Sequence, residues 1–144
     1  MTAGAITPYY SLKEKLMDGD IDFDGHTFKV ALFTSSYTPA VATDALLADI
    51  VANEVAGTGY TAGGATLTSV TTTLAAGVVT VDADDVSWAA ASITAKYAVI
   101  YDDTVSGDPL VAYFDLDTGA GSGVTISAGT LELRWNASGI LTLT

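Results

Sequence analysis

The residues of this chain that could do chemistry begin with an aspartate run, Asp20, Asp22 and Asp24, closed by Gly25. With Asp20 at position 1 of a calcium loop, Asp22 falls at 3, Asp24 at 5 and Gly25 at 6, as an EF-hand requires. Position 12, where a bidentate Glu must close the shell, is Ala31, and the segment after it alternates like a strand rather than a helix. The run therefore reads as a solvated turn, and no metal is expected on it. Gly57-Thr-Gly59-Tyr-Thr-Ala62 resembles a dinucleotide loop in spacing alone. That motif needs a helix N-terminus behind it to meet a pyrophosphate, and here a Thr-rich strand follows. His26 is the single histidine, and no Gly-x-Ser-x-Gly elbow accompanies it. It reads as a partly exposed turn residue beside Asp24, so His26→Ala is expected to leave the protein nearly intact. Asp84-Asp85 and Asp102-Asp103 sit at strand ends, where solvated turn residues are expected. Asn136-Ala-Ser138 is a formal glycosylation sequon without a secretory signal ahead of it. No catalytic, cofactor-binding or metal-ligating residue is assigned.

Composition narrows the classes further. The chain has 144 residues, five basic and 17 acidic, a formal charge of 5 − 17 = −12, and no cysteine. Disulfides, thiolate metal sites and cysteine nucleophiles are thereby excluded. The charge argues against nucleic acid as a partner, since a phosphate backbone needs clustered Lys and Arg. Charged residues are 15% of the chain against about 25% in an ordinary soluble domain. The surface is correspondingly rich in Ala, Thr, Ser and Gly, a type of surface that neighbouring molecules often cover. No apolar run approaches the ~20 residues of a membrane helix, and residues 1–10 lack the pattern of an export signal.

The elements that must carry these residues are mostly strands. A helix is predicted over 8–17, capped by Thr7 with Pro8 at its first position and ended by Gly19. A strand over 27–34 puts Phe28, Val30 and Leu32 on one face. A second short helix over 44–51, capped by Thr43 or Asp44, presents Leu46, Leu47 and Ile50. Thr/Val-rich runs at 67–74 and 78–82 flank Ala75-Ala-Gly77 and predict a hairpin. A short piece carries Val86 and Trp88. Residues 93–101 read as one central strand, with Tyr97, Val99 and Tyr101 opposite Lys96, Ala98 and Ile100. Strands at 110–115, 124–127, 130–135 and 140–144 follow, with a glycine loop at 118–123 and the last two strands joined by 136–139. The seven tyrosines and two tryptophans mostly follow this alternation and are expected in the core. The fold class is mainly β: a single domain over 1–144, an antiparallel sandwich or barrel with two short helices.

Phe28-Lys-Val-Ala-Leu-Phe-Thr-Ser-Ser-Tyr-Thr-Pro39, Asn53-Glu-Val-Ala-Gly-Thr-Gly-Tyr-Thr-Ala-Gly-Gly64, Asp84-Asp-Val-Ser-Trp88 and Ala95-Lys-Tyr-Ala-Val-Ile-Tyr-Asp-Asp103 occur in this order. Together they resemble a family of small structural proteins of tailed bacteriophages and prophages. The resemblance runs from Leu12 to Leu143; residues 53–64 are its most specific block, and 131–144 are similar to the family's closing hairpin. It implies a virion component without enzymatic activity, assembled in the host cytoplasm. A capsid decoration, or cement, protein bound to the major capsid protein is the first expectation, as a homo-oligomer with a trimer favoured. A tail, neck or fibre component is the competitor. Two other classes make different demands. A carbohydrate-binding module needs two or more solvent-facing aromatics on one sheet, and a hydrolase needs a cleft holding His26 or paired carboxylates in contact.

Overall fold

The computed structural model describes residues 5–119 and 121–144. Three antiparallel sheets build it. The five-stranded sheet has the order β1 (Thr7–Pro8), β8 (Leu110–Asp115), β7 (Tyr97–Asp102), β2 (Phe28–Phe33), β3 (Ala65–Thr66). A three-stranded sheet sets β10 (Leu141–Leu143) beside β5 (Val78–Asp82) and β4 (Thr71–Ala75). A two-stranded ribbon pairs β6 (Val86–Ala95) with β9 (Val124–Leu133). The helices are α1 (Tyr10–Asp18) and the four-residue α2 (Leu47–Ile50), which runs into a 3-10 turn at Val51–Asn53.

The five-stranded sheet is covered on both faces. Phe28, Val30 and Leu32 of β2, with Ala98 and Ile100 of β7 and Ala112 and Phe114 of β8, meet Val86, Trp88, Ile93, Val124, Leu131 and Leu133 of the ribbon. The opposite face, built from Ala31, Phe33, Val99, Tyr101 and Leu110, packs on Tyr9, Tyr37 and Ile50. The alternation read in β2 and in 97–101 therefore divides two layers of core, as the period of two requires.

Several boundaries differ from those the sequence suggests, each for a long-range reason. Residues 93–101 are not one strand: the chain leaves the ribbon at Lys96 and enters the five-stranded sheet at Tyr97. The Lys96 N–H bonds the Phe33 carbonyl, and its own carbonyl takes the Leu116 N–H. Its ammonium bonds Asp115 at 2.8 Å and the Asp117 carbonyl, which satisfies a nearly buried cation at the crossing. Residues 124–127 and 130–135 are one bulged strand ending at Leu133, with Ala128 in a left-handed conformation (φ 48°). The last strand does not close a hairpin with it; β10 pairs with β5, Leu141 opposite Val81. Residues 118–123 form a glycine connection as read, of which Ala120 lies outside the described residues; the segment read for an export signal likewise extends over residues 1–4, which also lie outside them.

Helix α1 starts at Tyr10 because Thr7 and Pro8 are spent pairing with Tyr113 and Ala112 of β8. Gly19, at φ 78°, ends it in the left-handed conformation that glycine adopts without a Cβ penalty. Before α2, Leu46 is extended and bridges Pro109, which delays the helix to Leu47. Asp44 does not cap it. Its carboxylate accepts the Tyr37 hydroxyl (2.8 Å) and the Ala40 N–H, and Asp49 takes the N–H groups of Ala45 and Leu46 instead. Those two bonds hold the Asp49 carboxyl below its ordinary range. The β4–β5 hairpin forms where the sequence predicts it, but its first strand is Thr71–Ala75 rather than 67–74. Ala75 stands opposite Val78, the turn is Ala76 and Gly77, both at positive φ, and the Leu67 N–H bonds the Phe28 carbonyl of β2 instead.

Candidate functional site

The structure distributes the candidate side chains among structural tasks. Asp20 lies 3.8 Å from Lys15, and Asp22 turns its carboxylate onto the Asp24 N–H at 3.0 Å. The three aspartates thus form a turn at the start of β2 rather than converging on a point. Among the described residues, no group of three or more His, Asp or Glu side chains is placed to share a metal ion.

His26 is in a turn and partly exposed, but its partner is not Asp24. Its Nδ1–H donates to Oδ2 of Asp102 at 2.7 Å, and that carboxylate is fully buried at the end of β7. The other oxygen accepts the N–H groups of Thr104 (2.8 Å) and Val105 (3.3 Å). An imidazole held by a buried carboxylate supplies two of the three members of a nucleophilic triad. The nearby hydroxyl of Thr104 is engaged by the Thr27 N–H at 2.8 Å. The arrangement ties the entry of β2 to the exit of β7. Asp103 pairs with Lys29 at 3.0 Å. Asp84 accepts the Thr68 and Ser69 hydroxyls, and Asp85 accepts the Trp135 N–H.

The glycine-rich block at 53–64 is a strap laid across two sheets. Tyr60 carries it: its hydroxyl donates to Glu54 (2.6 Å) and accepts the Leu32 N–H of β2 (3.0 Å). Glu54 also accepts the Gly63 N–H, and the Tyr101 hydroxyl donates to the Gly63 carbonyl. Gly64 lies so close to β2 that a Cβ there would collide with the Val30 carbonyl oxygen. Gly59 is pressed, less tightly, against the backbone of 89–91 in β6, where a Cβ would come within 2.7 Å of Ala91 Cα. These glycines serve close backbone approach, the reason a dinucleotide loop also uses them, but here the backbone approached is the protein's own. Burial and the bond to Glu54 push the Tyr60 hydroxyl well above its usual range. Burial likewise raises Tyr9 and Tyr37, whose hydroxyls meet at 2.7 Å.

Two clefts flank β10. One, about 600 Å³, lies between Ile6–Pro8 and Arg134–Thr142 and is walled by Trp135 against Phe114. The Trp135 indole N–H is engaged by the Asp84 carbonyl at 2.8 Å. The other, about 560 Å³, lies between α1 and the Val79, Val81 and Leu141 face of the small sheet. Neither His26 nor Asp102 lines them. The aromatic side chains mostly turn inward, so that Tyr10 is the most exposed aromatic among the described residues. Each basic side chain has a partner within the chain: Lys15 with Asp20, Lys29 with Asp103, Lys96 with Asp115, Arg134 with Glu132, and Lys13 over the Tyr10 ring. No described helix is long and apolar enough to cross a membrane.

Sequence reasoning missed Lys96, Glu54 with Tyr60, and the His26–Asp102 pair. Lys96 left a signal, since a lysine inside the most apolar run must find a carboxylate or mark a crossing. No family model matches the chain, and no curated protein or solved structure is significantly similar to it.

Proposed function

We propose that this chain is a non-enzymatic structural protein of a bacteriophage virion, a capsid decoration or cement protein bound to the outside of the head. The observation that carries the reading is where the chemistry-bearing residues go. Residues 53–64, the most specific block of the phage-protein resemblance, serve as a strap between β2 and β6, and the acids and His26 hold turns. The surface left over is a set of nearly uncharged sheet faces. The outer face of the ribbon presents Ser87, Ala89, Ser92, Thr94, Thr125 and Ser127 with Glu132 as its charge, and β4 is exposed throughout. Such faces on a rigid β body can be covered with little cost for desolvating charge.

The partner is the major capsid protein, which presents one seat many times over. A homo-oligomer fits such a lattice, and a trimer placed where three capsid subunits meet satisfies equivalent contacts at once. The net charge of −12, with its few bases already paired, keeps free copies soluble and away from packaged DNA. Purified protein added to capsids that lack it is expected to bind them and raise their thermal or mechanical stability. Labelling confined to the tail or portal vertex would replace this reading by a tail, neck or fibre component.

A further inference from the structure

We infer that β4 is a self-association edge, which pairs antiparallel with β4 of a second copy and continues the small sheet across a two-fold axis. An unpaired strand edge recognises one kind of object, another extended backbone, and proteins guard such edges with charge, proline, bulges or brevity. The other sheet edges here carry those guards. β1 contains Pro8, β3 is two residues long, and β10 is three. The ribbon is irregular, with register shifts after Trp88 and Ala91, and β9 bears Glu132. β4 has none of these: Thr71-Thr-Thr-Leu-Ala75 is regular, uncharged and exposed at every residue, with Leu74 at 72%.

Charge selects a second copy as the occupant. Two chains of net charge −12 repel, and they approach most easily where carboxylates are absent. The small sheet is that place, since Asp82 is its one charged side chain and it lies on β5, away from the free edge.

The turn fixes the register. A two-residue hairpin loop makes its flanking residues, Ala75 and Val78, a hydrogen-bonded pair, so Thr71, Thr73 and Ala75 face β5 with their backbone groups. Thr72 and Leu74 then point their N–H and C=O groups outward. A two-fold axis at Thr73 sets Thr72 opposite Leu74 of the second copy and the reverse, and each pair exchanges both hydrogen bonds. It also covers Leu74, whose side chain belongs to the partly covered apolar face with Val79 and Leu143. The contact is two-fold, so it joins copies, or trimers of copies, in pairs, wherever they sit on a particle.

The chain has no cysteine, so a single T73C variant tests the register directly. The two Thr73 Cα atoms would lie about 4.5 Å apart in a non-hydrogen-bonded pair, within disulfide reach. Mild oxidation is expected to cross-link T73C to a dimer and to leave an S127C control, on the exposed face of β9, uncoupled. Sedimentation of the wild type should show an even number of chains. T72P, which removes an outward N–H, and T73E, which sets like charges at the axis, should halve that number with far-ultraviolet circular dichroism unchanged. An odd-numbered or monomeric wild type, or a T73C variant that oxidises no faster than S127C, would overturn the proposal and leave the edge to a different protein. Neither result depends on capsid binding.

Discussion

Removing the His26 side chain should destabilise the protein measurably, against the expectation that a lone turn histidine is dispensable. Asp102 is fully buried and its Oδ2 has the imidazole at 2.7 Å as its donor. His26→Ala leaves that oxygen facing a small void. Stranding a buried polar atom costs about 1–3 kcal/mol. Oδ1 keeps its bonds from the Thr104 and Val105 N–H groups, and the imidazole site is partly open to water, so the loss should fall near 2–3 kcal/mol. With an unfolding entropy of about 2.1 cal/mol/K per residue, this corresponds to a fall in Tm of about 7–10 °C. Differential scanning calorimetry of His26→Ala, Asp102→Asn and the double variant measures it. The double variant should lose less than the sum of the single losses, because the pair acts as a unit. A fall below 2 °C in His26→Ala, or strict additivity, would show that Asp102 is satisfied without His26 and refute the argument.

Gly64→Ala would force a Cβ onto the Val30 carbonyl at a positive φ of 76°, and should cost about 2–5 kcal/mol in urea unfolding. Alkaline titration followed by tyrosinate absorbance tests the buried hydroxyls. Tyr9, Tyr37, Tyr60 and Tyr101 all have raised hydroxyl pKa values, with burial the first cause. The unfolded chain releases those protons near the ordinary tyrosine pKa of about 10 while the folded chain retains them. Their contribution is therefore complete below about pH 10 and declines as pH rises above it. These four should ionise together with the loss of circular dichroism; their ionisation ahead of unfolding would contradict their burial. The Tm should not change on adding a chelator, because Asp20 and Asp22 are turned to Lys15 and the Asp24 N–H. A drop of several degrees would reveal a bound cation there.

Local pattern determined a good deal of this protein. The period of two in 28–33 and 97–101 placed their side chains on the correct faces, and Ala75-Ala-Gly77 marked the β4–β5 hairpin. Gly19 marked the end of α1. These features depend on φ, ψ and alternation, which neighbouring residues dictate. Partner choice is a different matter. Alternation reads the same in whichever sheet a strand sits, so nothing local showed that 93–101 divides at Lys96 between ribbon and five-stranded sheet. Nor did it show that β10 joins β5 across the molecule instead of turning back on β9. The helix starts moved for a like reason: Thr7 and Asp44 are good caps in isolation, and tertiary hydrogen bonds to β8 and Tyr37 claimed them first. The candidate residues were visible only as types. His26 and Asp102 stand 76 positions apart, and only burial of the carboxylate made the imidazole necessary to it. The 57–64 glycines offered in sequence only the spacing of a dinucleotide loop, and the packing of the three sheets set them against the chain's own backbone.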